Sequence, residues 1–143
     1  MAEATLLGFK ITRISMVNSI KEQGELRLAN TSGFTVDYTP DNTQAIAELT
    51  TTLELANHPG DFHIDLKIEG TFSLTGIVNI ETKKDTHLMC YDLLFPVANQ
   101  FVELLASNSG FADLKLKKNT IKRESIHFGE QPEDGKIIDF PEQ

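Results

Sequence analysis

Two pairs of side chains in this sequence have types and spacings that could do chemistry. His63 and Asp65 are two positions apart, so in a strand they share one face and could bind a metal ion or transfer a proton. His87 and Cys90 are three positions apart and could share a metal ion on one face of a helix. Cys90 could also react as a thiolate, although a small buried side chain is the simpler interpretation.

The rest of the sequence gives neither pair a partner. A structural zinc site usually needs four ligands, and no second pair lies near His87 and Cys90. No nucleophile accompanies His63 and Asp65, which we interpret as part of a solvated strand face. Glycine-rich phosphate loops, Cys-x-x-Cys pairs and His-Glu-x-x-His helices are absent from the sequence. We predict that the protein is not an enzyme and uses no metal or cofactor.

Composition limits the partners. The 143 residues include 13 Lys and Arg against 21 Asp and Glu, a net charge of −8. That charge disfavours binding to nucleic acid and to anionic membranes. It favours binding to basic partners, or it serves only to keep the protein soluble. One cysteine excludes an internal disulfide and fits a reducing compartment, and no uninterrupted apolar run approaches the ~20 residues of a membrane span. We expect one cytoplasmic domain without membrane insertion.

One basic cluster is an exception to the acidic composition. Five basic residues crowd residues 115–123, which would suit a phosphate-binding patch or an edge strand blunted against unwanted pairing. No aromatic residues are interleaved with them, as stacking on nucleic acid would require, so we favour the edge strand. The five are Lys115, Lys117, Lys118, Lys122 and Arg123.

The elements that position these residues begin with two long alternating segments. Residues 44–55 and 62–74 keep polar and apolar positions in alternation, which predicts strands with one buried and one solvated face. Residues 57–60 supply a turn, so the two strands should form a hairpin. Gly70 lies on the apolar face of the second strand and predicts close approach by another element.

Shorter elements flank this hairpin. Residues 10–15 predict a strand, in which a bulge would explain the apolar Ile14 out of alternation. Residues 21–33 are polar and predict a loop, followed by a strand over residues 34–38. Residues 114–117 predict a last short strand, and the polar residues from 127 onward predict an irregular tail.

The helical part is predicted as two pieces. A short helix could cover residues 83–92, with a break before Pro96, whose fixed φ suits the first turn of a second helix. Gly110 would follow the end of that helix. Its apolar stripe should comprise Val97, Phe101, Leu104 and Leu105. A late helix after long strands predicts an antiparallel sheet with a helix lying across it.

Apolar residues next to the predicted loop suggest a binding surface. Leu26 and Leu28 lie within the polar residues 21–33, and three apolar or aromatic residues follow at alternate positions. Such groups either line a binding surface or tuck under the loop as a satellite cluster. The following residues are Phe34, Val36 and Tyr38.

Several segments resemble the SecB family of export chaperones over residues 9–121. They are Phe9-x-Ile11-x-Arg13-Ile14, Gly70-x-Phe72-Ser73-x-x-Gly76-Ile77, Leu94-Phe95-Pro96-x-Ala98 and Gly110-Phe111-x-x-Leu114-x-Leu116. Their order and spacing together carry the resemblance.

The resemblance implies an α+β fold, a four-stranded antiparallel sheet with a long helix packed on one face. Residues 1–126 would form the chaperone domain and residues 127–143 a polar C-terminal tail. The resemblance also implies a homotetramer built as a dimer of dimers. This assembly would bind unfolded polypeptides in hydrophobic grooves without ATP, and protein export would be one use of that binding. The client-binding groove would contain Leu26, Leu28, Phe34, Val36 and Tyr38.

Departures from the family pattern leave the partner open. In the family, acidic residues on the sheet dock the export motor SecA; Glu22 and Asp65 match two of these positions, whereas Asn18 and His63 replace an acid and a leucine. The usual C-terminal helix is not evident after residue 123. These differences favour a divergent member, and some such relatives shield an aggregation-prone antitoxin of a toxin–antitoxin system. A non-catalytic domain that binds a small ligand is the alternative outside the chaperone class.

Overall fold

A computed structural model describes residues 1–20, 27–56, 60–107 and 118–128. Four antiparallel strands, β1 (Glu3–Asn18), β2 (Leu28–Tyr38), β3 (Gln44–Leu55) and β4 (Phe62–Thr75), form one sheet in the order β1-β4-β3-β2. One helix, α1 (Ile80–Ser107), packs on one face of the sheet, and a short 3-10 helix spans Arg123–Ser125. The predicted α+β fold, with a four-stranded antiparallel sheet and a long helix, is confirmed.

The β3–β4 hairpin forms as its alternation predicts. Alternate residues along β3 and β4 are buried beneath α1, including Leu49, Phe62 and Phe72. The other face carries charged side chains in partly exposed pairs, such as Lys67 with Glu48 at 3.4 Å. Most of the hydrophobic core therefore lies between the sheet and the helix.

Gly70 is the close-approach position that the sequence predicts. A Cβ atom built there would lie 3.0 Å from Cδ1 of Leu94 on α1 and 3.2 Å from Cδ1 of Leu6 on β1. The missing side chain thus lets the helix settle onto the centre of the sheet.

Strand β1 is longer than predicted and is irregular in two places. Its register against β4 shifts between Leu6 and Gly8 and again between Ile11 and Arg13. The second shift places Ile14 opposite Leu66, on the helix side, so the predicted bulge is confirmed.

Strand β2 corrects the prediction of a loop over residues 21–33. Residues 28–33 continue the strand and pair with β3, from Leu28 opposite Leu55 to Gly33 opposite Thr50. The prediction is wrong because β2 is an edge strand with one face largely in solvent, so its polar side chains do not indicate a loop. Residues 21–26 lie outside the described residues, as do most of the predicted 57–60 turn and the predicted strand over 114–117.

The predicted break before Pro96 is wrong, because α1 is a single helix of 28 residues with Pro96 inside it. Both Pro96 and Asp92, whose carbonyl loses its helical donor, are exposed, so water can replace that hydrogen bond. The residues at which α1 begins were not identified from the sequence. The backbone N–H of Thr82 donates to Oδ1 of Asn79 at 2.8 Å, and the backbone N–H of Asn79 donates to Oγ1 of Thr82 at 3.0 Å. This reciprocal pair is a capping box.

The buried stripe of α1 also differs from the predicted one. Val97, Phe101 and Leu105 are partly buried against the core, but Leu104 is 57% exposed. The fully buried residues recur every fourth position: Thr86, Cys90, Leu94, Ala98, Val102 and Ala106. By length and composition alone Ile80–Ala106 would also suffice to cross a membrane, a test that core helices pass too. The structure shows this stripe packed on the sheet.

Candidate functional site

Three of the five predicted groove residues lie together on the edge strand β2. Phe34, Val36 and Tyr38 pair with Leu49, Ala47 and Ala45 of β3 and lie on the helix side of the sheet. All three side chains are half-buried. They form an apolar row beside a strand edge that has no other strand of the described chain next to it.

Leu28 lies on the same face but apart from this row. It stands opposite Leu55, six residues and roughly 20 Å along the strand from Phe34. Asn30 and Ser32 come between them, and both side chains bond to the buried Thr51 hydroxyl, at 2.9 and 3.1 Å. The structure therefore separates Leu28 from the aromatic residues. The other predicted groove residue, Leu26, lies outside the described residues.

The helix adds aromatic groups that the sequence prediction missed. The Phe34 ring meets His87 edge to face at 5.3 Å between centroids and Tyr91 at 5.2 Å. Tyr91 in turn lies 5.9 Å from Phe95. We call Phe34, Tyr38, His87, Tyr91 and Phe95 the aromatic strip. The signal was available in the i, i+4, i+8 spacing of His87, Tyr91 and Phe95, but the predicted break hid it.

Tyr38 is fixed at one end of the aromatic strip. Its hydroxyl lies 3.0 Å from Oγ1 of Thr86 and donates to the backbone oxygen of Lys83 at 3.2 Å. The Lys83 ammonium lies 4.6 Å from the centroid of the Tyr38 ring, a cation–π contact. The strip thus combines apolar ring faces with a polar, charged end.

Burial suppresses the ionisation of both chemistry-bearing residues on α1. It lowers the pKa of His87 from 6.5 to about 4, so the imidazole is neutral at physiological pH. It raises the pKa of the Cys90 thiol to about 12, and the side chain is fully buried, as predicted. His87 thus acts in the strip as an aromatic ring rather than as a charge.

The predicted motor-docking residue Asp65 lies on the opposite face of the sheet. Its carboxylate pairs with His63 Nε2 at 3.3 Å and accepts a hydrogen bond from the Thr52 hydroxyl at 2.6 Å. Asn18 ends β1 opposite Phe62, and Glu22 lies outside the described residues. Within the described ranges, no three His, Cys, Asp or Glu side chains group as a metal site would require.

Residues 118–128 run back along α1 beside the aromatic strip. The backbone N–H of Asn119 donates to the Tyr91 hydroxyl at 3.1 Å, and Ile126 is only 5% exposed. Phe128 meets Tyr38 edge to face at 5.6 Å between centroids. We call residues 118–128 the C-terminal strap. The first two residues of the predicted tail, His127 and Phe128, belong to it, and residues 129–143 lie outside the described residues.

Comparison with known proteins identifies the fold. No family model matches this sequence, and no curated protein matches it. Among solved structures, the chain is similar to the Mycobacterium tuberculosis Rv1957 SecB-like chaperone in complex with a ChAD peptide from the Rv1956 HigA1 antitoxin. The match has a TM-score of 0.58 and 14% identity, covering 82% of this chain and 88% of the other. The resemblance inferred from the sequence is confirmed at the level of structure: the chain has the fold of a SecB-like chaperone.

Proposed function

We propose that this protein is an ATP-independent chaperone that binds extended, non-native polypeptide segments along the aromatic strip. The observation that carries the proposal is the position of Phe34, Val36 and Tyr38, half-buried beside the edge of β2 that no other described strand covers. An apolar segment laid there would bury hydrophobic surface, and its backbone could pair with the strand edge. Folding of the client would remove the bound surface, so release needs no nucleotide.

Substitution of the apolar row tests this function. Val36→Asp should abolish the protein's ability to slow the aggregation of a denatured client, because a charge would then lie where the client's apolar groups bind. Val78→Asp is the matched control, since Val78 is 80% exposed and lies between β4 and α1, outside the apolar row. Circular dichroism and gel filtration establish that both variants are folded. Unchanged protection by folded Val36→Asp would refute the site assignment.

A dedicated antitoxin chaperone is the second candidate. It is favoured by the antitoxin peptide in the similar structure. A panel of unrelated denatured proteins separates the two candidates. Comparable affinities across the panel support a general chaperone, whereas binding of the HigA1 ChAD peptide alone supports the dedicated one.

We also propose that the chain works as a homo-oligomer. Apolar side chains are exposed along the other edge strand, β1, including Leu7 at 59%, Phe9 at 47% and Ile14 at 47%. A second copy would remove them from water. Light scattering should give a multiple of the 15.9 kDa chain mass, with four copies for a dimer of dimers. A monomeric mass at micromolar concentration would exclude the assembly.

A further inference from the structure

The C-terminal strap lies on the surface that we propose for clients. At one end, Lys118 pairs with Asp92 of α1 at 2.7 Å. At the other, Phe128 contacts both Tyr38 and the Lys83 ammonium, which lies 4.7 Å from the Phe128 centroid. The strap therefore runs antiparallel to the first half of α1 and covers Tyr38.

The strap binds as an extended client would. Apart from the single turn Arg123–Ser125, its described residues form neither helix nor strand. Its apolar anchors are Ile121, which packs against the core, the buried Ile126, and Phe128 on the aromatic strip. Side-chain contacts and the backbone N–H of Asn119 hold the strap to α1 and β2, without pairing to the sheet.

A basic anchor accompanies the apolar ones. Arg123 donates to the carboxylate of Asp85 at 2.5 Å, to the carboxylate of Glu81 at 3.2 Å and to the backbone oxygen of Glu81 at 2.6 Å. The Glu81 side chain is 67% exposed and that of Asp85 is 42% exposed. Exposed ion pairs contribute little to stability, so another segment with a basic residue could take over these contacts.

We propose that the C-terminal strap is an internal occupant of the client site, and that clients bind by displacing it. This inference rests on the function proposed above and specifies its ligand: an extended segment with aliphatic and aromatic residues around a basic residue that pairs with Glu81 and Asp85. A client can bind only to molecules whose strap is undocked. Its apparent affinity is therefore the intrinsic affinity multiplied by the undocked fraction. The strap also keeps Tyr38 covered when no client is present.

Loosening the strap in the full-length protein tests the proposal. Arg123→Ala should tighten binding of a fluorescently labelled denatured client by about two- to fivefold, because docked straps then compete less. Lys122→Ala is the matched control, since Lys122 is the exposed neighbouring residue. Equal affinities for wild type and Arg123→Ala would overturn the inference, even though client binding itself would stand.

A direct reporter of displacement completes the test. The sequence contains no tryptophan, so Phe128→Trp gives a single fluorophore in the strap. Saturating client should shift its emission to the red and lower its anisotropy, as Arg123→Ala should without client. Bound client with unchanged emission would show that the strap stays docked and would overturn the inference alone. If neither wild type nor Arg123→Ala binds the denatured client, both the proposed function and the inference fail.

Discussion

The ring of Phe128 meets the ring of Tyr38 edge to face, with their centroids 5.6 Å apart. This contact joins a residue near the end of the chain to the edge strand of the sheet, 90 positions earlier in the sequence. The Lys83 ammonium approaches both rings, at 4.6 Å from Tyr38 and 4.7 Å from Phe128. The C-terminal strap thus packs against the aromatic strip, whose residues lie on β2 and α1.

Gly70→Ala should destabilise the fold. The added methyl group would lie 3.0 Å from Leu94 Cδ1 and 3.1 Å from Phe72 Cε1, so the core must shift to admit it. We expect a loss of about 1–3 kcal/mol in the free energy of unfolding, measured by urea denaturation. Gly8→Ala is the control, because nothing lies within 4 Å of a Cβ atom at that strand position. Equal effects of the two substitutions would contradict the close approach of α1.

The low pKa of His87 predicts that stability falls on acidification. In the unfolded chain the imidazole takes up a proton near pH 6.5, whereas in the folded protein it does so only near pH 4. Between these values the unfolded state binds more protons, so stability present above pH 6.5 is lost as the pH falls through this window. One proton corresponds to a slope of about 1.4 kcal/mol per pH unit.

Replacement of the imidazole isolates this effect from the carboxylates that titrate in the same range. His87→Phe keeps a ring against Phe34 but removes the titrating group, so its unfolding free energy should depend less steeply on pH between 6.5 and 4. The prediction fails if His87→Phe and wild type show the same pH dependence.

Pro96→Ala should stabilise the protein. The substitution restores a backbone N–H that can donate to the carbonyl of Asp92, and the exposed position leaves room for it. Alanine also leaves the unfolded chain more freedom than proline does, which offsets part of this gain. We therefore expect the free energy of unfolding, measured by thermal or urea denaturation, to rise by about 2 kcal/mol. Pro40→Ala, in the turn before β3, should instead lose up to about 1 kcal/mol. If Pro96→Ala also lowers the free energy of unfolding, the prediction is wrong and the proline is needed to shape α1.

The sequence predicted the regular parts of this fold and missed the parts that depend on tertiary contacts. Alternation specified β3 and β4, and with them the position of Gly70 beneath the helix, because each strand buries one face in a repeating pattern. The polar half of β2 has the composition of a loop, since an edge strand needs little apolar surface. Pro96 is typical of a helix start, but solvent exposure lets α1 accommodate it in its interior.

The candidate site was predicted only in part for the same reason. Phe34, Val36 and Tyr38 were found from their alternation, but Leu28 is separated from them by the polar Asn30 and Ser32. The helix residues of the aromatic strip and Phe128 were missed. The spacing of the helix residues indicates one shared helix face, but the packing of that face and of the strap against β2 is a tertiary contact that no local sequence pattern encodes.

The most direct test of the central claim is calorimetric titration of the protein with a slow-folding protein, first denatured and then native, in ATP-free buffer. We predict binding to the denatured form alone, with several chaperone subunits per client and weaker binding by Val36→Asp. Indifference to both forms would contradict the claim and leave two alternatives, a chaperone dedicated to one antitoxin or a domain that binds a small ligand on the same fold.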